Sequence, residues 1–197
     1  MRRYLILAFI FDILFFIAVV LIHFINSDLE ILSTPLSYYL DARYGYILKT
    51  GLIFFGLAEI LMSVIFYIKK QDTLKICAIL LFIAGISVII TSFSPVNYRG
   101  IEINLLHLVH VYAATAQLLF LPVVAFLYSK SDPNKNIRLV SKIIGVITYS
   151  LFIFILIILN FEESKIFGYY GLLQKIDIFL MIFWIGLILK RIMKFNQ

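Results

Sequence analysis

Six apolar runs, each about twenty residues long, constrain this chain more than any other feature: 4–24, 46–68, 74–93, 105–128, 139–160 and 171–189. An α-helix rises about 1.5 Å per residue, so about twenty residues cross the ~30 Å of hydrocarbon in a bilayer. The runs lack the period-two alternation of barrel strands. Inside hydrocarbon a backbone must satisfy its own hydrogen bonds, and such runs do so as helices. The expected fold is all-α: a six-helix transmembrane bundle that makes 1–197 a single integral membrane domain. The composition agrees, being 63% apolar and 14% charged, against about 25% charged in a soluble domain.

The first run, Tyr4–Phe24, is longer than the ~7–15 residues of a signal-peptide core, and no small-x-small site follows it. It reads as a retained first span. The net charge of +6 invites a nucleic-acid reading, but the positions exclude it. Arg2 and Arg3, then Lys69, Lys70 and Lys75, then Lys130, Lys135, Arg138 and Lys142, then Lys190, Arg191 and Lys194 all fall on one side of the alternating spans. The other side's loops hold Arg43, Arg99 and Lys165. Twelve against three places both termini in the cytoplasm by the positive-inside bias. The lone cysteine, Cys77, lies in an apolar run and reads as a small buried hydrophobe.

The loops on the far side carry most of the polar and aromatic variety. The longest, Ile25 to Gly45, contains Leu36–Leu40 (LSYYL), whose tyrosines suit a short helix at the interface. Two motifs face each other across the sequence. YGYILK (Tyr44–Lys49) and YGLLQK (Tyr170–Lys175) each place Tyr-Gly and then a lysine at the start of an apolar run. The fourth run opens with His107 and His110, which share a helix face with Asn104 and Gln117.

These stretches also carry a family resemblance. LSYYLDARYGYILKTGLIFFGLAEILM resembles the start of the second helix in the bacterial membrane family called domain of unknown function 998. HLVH (His107–His110) is similar to the start of its fourth helix, with Leu108 in place of a glycine. GLLQK (Gly171–Lys175) is similar to the start of its last helix, with Lys175 in place of an arginine. The resemblance implies a helical membrane protein of a bacterial inner membrane and points to these motifs. It names no reaction.

The candidate site follows from the three helices that start on the far side. Lys49, His107, His110 and Lys175 lie about a turn inside, at helix N-termini that carry partial positive charge. Arg99, Glu102, Gln174 and Asp177 complete an expected outward-facing pocket for a lipid headgroup or a small anion. Asp177, two turns in, needs a partner such as a histidine or Lys49. The bland alternatives are snorkelling lysines and interhelical hydrogen bonds worth about 0.6 kcal/mol each. Asp12 and Glu59 fall near mid-bilayer with no cation expected at that depth. They read either as neutral, hydrogen-bonded carboxyls or as a proton or ion relay.

Two other functions compete with the pocket. His23, His107 and His110 with a carboxylate would make a metal-dependent hydrolase. The third reading is a structural or accessory subunit. No nucleotide-binding, dinucleotide-binding, zinc-protease or CxxC motif is present, and no cofactor is expected. The expected partners are membrane lipids.

Overall fold

A computed structural model describes residues 1–69, 71–94, 105–159 and 168–195. It contains six long helices among these residues: α1 (Arg2–Ile25), α2 (Tyr46–Ile68), α3 (Asp72–Phe93), α4 (Leu105–Tyr128), α5 (Lys135–Ile158) and α6 (Tyr170–Phe195). All six are long and apolar enough to cross a membrane, as in an integral membrane protein. The LSYYL segment forms a 3₁₀ turn, Leu36–Leu40.

Local chemistry sets the boundaries. α3 opens on Asp72, whose negative charge suits a helix N-terminus. α5 starts at Lys135, ahead of its apolar run, because Asn134 caps it. The Asn134 side chain accepts hydrogen bonds from the Asn136 and Ile137 amides at 2.9 and 3.2 Å. α6 continues past residue 189 through Lys190, Arg191 and Lys194, good helix formers whose charge suits a C-terminus.

The helices form a closed ring in chain order, with α6 returning to pack on α1. Successive helices run antiparallel. One end of the ring, the basic end, holds both termini and the α2–α3 and α4–α5 connections. The other, the loop end, holds the Ile25–Gly45 segment. Without a hydrophobic driving force between helices in lipid, close approach must come from small residues and ring packing. α1 meets α2 where Phe15 stacks on Phe55 at 4.5 Å, and Gly51 seats against Ala18. α2 meets α3 at Gly56 and Gly85, where a Cβ on either glycine would stand 2.5 or 2.6 Å from the other's carbonyl oxygen. α4 meets α5 where Gly145 lies against Pro122 and Phe126. α5 and α6 are joined by the Trp184 indole, which donates to the Ser141 hydroxyl at 3.0 Å. Leucine, isoleucine and phenylalanine cover the outside, for example Ile79, Phe82, Ile147 and Phe183. Cys77 is fully buried among apolar residues, as expected.

The glycine pair gives a direct test. Gly56→Ala should cost about 1–3 kcal/mol by overpacking the α2–α3 contact. Gly168→Ala, where a Cβ meets nothing within 4 Å, should stay within about 0.5 kcal/mol. Thermal midpoints in detergent would separate the two.

Candidate functional site

The two Tyr-Gly motifs grip the same piece of chain. Tyr44 adopts a left-handed backbone, φ 62°, and the Arg43 guanidinium covers its ring at 4.9 Å. Gly45 then passes so close to the Leu40 carbonyl that a side chain would collide with it. Gly171 does the same on α6, where a Cβ would lie 2.5 Å from the Thr34 backbone. The Leu172 amide donates to the Leu32 carbonyl at 2.8 Å. The repeated glycines therefore let α2 and α6 start flush against the Ile25–Gly45 segment.

The lysines that follow bind the same segment. Lys49 forms a 3.9 Å ion pair with Asp41, with both side chains more than a third exposed. Such a pair contributes little. Lys175 donates to the Ile31 and Thr34 carbonyls at 2.6 and 2.8 Å and lies 5.3 Å from the centre of the Tyr39 ring. Gln174, beside it, accepts the Leu36 amide at 2.8 Å in a buried position. Gln174 and Lys175 thus anchor the segment to α6.

Of the remaining candidates, Arg99 and Glu102 lie outside the described residues. His110 is buried and its Nδ1 is 2.8 Å from the Ser94 carbonyl. His107, one turn earlier, is partly exposed. His110, Gln117, Thr91, Ser37 and Gln174 border a cavity of about 40 Å³, room for a water or two. His23 bonds through Nδ1 to the Val19 carbonyl at 2.6 Å and packs on Tyr39 with ring centres 4.6 Å apart. Among the described residues no three His, Cys, Asp or Glu side chains converge on a metal-sized site, so His23, His107 and His110 do not meet as a ligand set.

Asp12 and Glu59 lie deeper than the cavity, and Asp177 lies on α6 between Gln174 and Ile178, which border it. Asp12, Glu59 and Asp177 are 3%, 0% and 0% exposed. One oxygen of Asp12 and both of Glu59 and Asp177 have no hydrogen-bond partner among the described residues. The pairing expected for Asp177 is not made, because Lys49 turns to Asp41 and His110 to Ser94. Asp12 and Glu59 sit at one depth. Each is about 15 Å along its helix from the basic end. Gln117 of α4 is Glu59's polar neighbour, although no well-formed hydrogen bond closes to either Glu59 oxygen. Gly186 makes room for Asp12, since a Cβ there would stand 3.0 Å from its Oδ2.

The basic end has a network that the sequence reading missed. The Tyr128 hydroxyl donates to Asp132 at 2.7 Å, the Asn134 amide at 2.8 Å, and Arg191 pairs with Asp132 at 3.4 Å. Lys69, at the end of α2, has a lowered pKa. Burial is the largest cause, and Asp132 opposes the shift while Arg191 adds to it. In the sequence, Ser131–Lys135 (SDPNK) shows only as a turn between the fourth and fifth apolar runs.

The anchor can be tested on its own. Gln174→Leu leaves the buried Leu36 amide without an acceptor and should destabilise by about 1–3 kcal/mol. Gln174→Glu keeps an acceptor and should cost less, and amide hydrogen exchange at Leu36 would report both. Tyr39 supplies a pH test. Burial, and secondarily Asp28, raise its hydroxyl pKa. Its contribution to stability is therefore full below the unfolded value of ~10 and is lost as pH rises through the folded value. Tyr39→Phe should flatten the alkaline fall in thermal stability.

No curated protein and no solved structure is significantly similar to the chain. The family model described as "Protein of unknown function (DUF998)" matches residues 10–190. With nearly its whole length matched, and with six membrane-length helices among the described residues, the chain belongs to the DUF998 family of proteins of unknown function.

Proposed function

We propose that this is a proton-linked membrane transport or binding protein, oriented with its basic end in the cytoplasm of a bacterial inner membrane. The polar cavity at the loop end admits water or a small polar ligand, and the buried acids carry the proton. One observation carries this reading. Five carboxyl oxygens on three helices are sealed inside an apolar bundle with no hydrogen-bond partner among the described residues. Unpartnered acids are costly in hydrocarbon and mark ion or proton paths. Glu59 is the central group, with Asp12 level with it and Gln117 linking it toward the cavity.

The anion and headgroup reading of the same pocket receives less support. Lys49 and Lys175 are already occupied by Asp41 and by loop carbonyls. The cavity of about 40 Å³ that His110 and Gln174 border does not hold a lipid headgroup, and Lys175 borders a separate, apolar-walled groove of about 330 Å³ with His23.

The reading predicts that protons reach Glu59. In reconstituted protein, the infrared stretch of its protonated carboxyl should shift on transfer to D₂O, and Glu59→Gln should remove that band. In liposomes carrying an imposed pH gradient, Asp12→Asn and Glu59→Gln should slow any flux seen with the wild type. A carboxyl band that never exchanges would mean a sealed, structural acid and would sink the proposal.

A further inference from the structure

A second feature lies at the opposite end of the bundle and is independent of the acids. Where α4 turns into α5, Lys130, Lys135, Arg138 and Lys142 surround a cleft of about 440 Å³ floored by Phe126 and Leu139. No carboxylate lines it. Asp132, the acid of this turn, is 7% exposed and is taken up by Tyr128, Asn134 and Arg191. Two other basic groups at this end differ, since Lys75 pairs with Asp72 at 3.1 Å and Arg191 with Asp132 at 3.4 Å. A positive-inside signal needs charges in a loop. It does not need them gathered around one concavity.

The cleft continues into the membrane zone. Phe126 is shared with a groove of about 310 Å³ between α4 and α5, bordered by Pro122, Val123, Val146 and Tyr149. The Lys130 ammonium lies 5.2 Å from the centre of the Phe126 ring, at the junction of the two spaces. From Lys142 to Ser150 the α5 backbone advances about 12 Å, the span of the first part of an acyl chain. A polyanion free in solution would use the basic cleft and leave the groove idle. A lipid uses both.

We propose that this cleft and groove bind an anionic glycerophospholipid of the adjacent leaflet. Its phosphate lies among Lys130, Lys135, Arg138 and Lys142, and one acyl chain lies in the α4–α5 groove. Basic pockets between helices are a recurring means of holding anionic headgroups. All four cations are exposed, so they can be changed without disturbing the core.

The test is native mass spectrometry of detergent-purified protein titrated with phosphatidylglycerol or with phosphatidylcholine of the same chains. Wild type should retain phosphatidylglycerol roughly tenfold better. A Lys135→Gln, Arg138→Gln, Lys142→Gln variant should lose that preference, whereas Arg2→Gln, Arg3→Gln at the same end should keep it. Val146→Trp, which fills the groove, should weaken retention of both lipids while leaving the thermal midpoint unchanged. Equal retention of the two lipids by wild type would overturn the assignment. So would a preference that survives the triple variant. Competition by glycerol phosphate at concentrations matching the lipid would reassign the cleft to a soluble phosphate and overturn the lipid proposal.

Discussion

Hydrocarbon cannot donate or accept a hydrogen bond, and the chain has to meet every polar demand from within. That single requirement makes each apolar run a helix and turns polar side chains toward the ring's interior. It also makes the helix ends the difficult places, because four amides or four carbonyls there have no helical partner. At the loop end the Ile25–Gly45 segment meets one of these demands, since its Leu32 carbonyl accepts the Leu172 amide in the first turn of α6. It is held by side chains of α6 and by the close seating of Gly45 and Gly171. At the basic end Asp132 gathers donors from α4, the turn and α6. A ring of antiparallel helices needs such ties, since lipid does not press the helices together.

The two ends are tied differently. Asp132 is an acceptor between groups from three parts of the chain, so it fixes the relative positions of α4 and α6 through side chains. The loop end is tied through backbone. Gln174 accepts an amide and Lys175 donates to two carbonyls. Backbone groups cannot be mutated away, so that tie depends on α6 presenting Gln174 and Lys175 in succession after the flush start at Gly171.

The fold was legible because the length of an apolar run is a strong signal that needs no tertiary information. Tyr46–Ile68 and Leu105–Tyr128 coincide with their apolar runs. α5 starts earlier because a cap at Asn134 outweighs the polarity of Lys135 and Arg138, and hydropathy does not register a cap. The site was legible only in its ingredients. Lys49 and Lys175 were visible as a repeated pattern, yet the pattern did not reveal that their partners are Asp41 and the carbonyls of Ile31 and Thr34. Contacts such as that of Lys175 with Ile31, or Trp184 with Ser141, join residues far apart in sequence, and no local spacing encodes them. His110 and Gln117 were placed on one face by helical period, and both border the same cavity.

The interior sorts its polar groups into two kinds, and the difference bears on why the acids are there. Two threonine hydroxyls return to their own helices. Thr91 donates to the Ser87 carbonyl at 2.9 Å, and Thr148 to the Ile144 carbonyl at 2.7 Å. A hydroxyl can do this anywhere in a helix, so its presence asks little of its neighbours. An ionised carboxylate has no donor hydrogen and cannot return to a carbonyl. A neutral one has a single hydrogen to give. If Asp12, Glu59 and Asp177 served only to join helices, asparagine or glutamine would supply both donors and acceptors at lower desolvation cost. Gln117 and Gln174 show that this chain uses amides inside the bundle. What an acid has and an amide lacks is a proton it can release and take back. That property is the one the proposed proton path draws on at Asp12, Glu59 and Asp177.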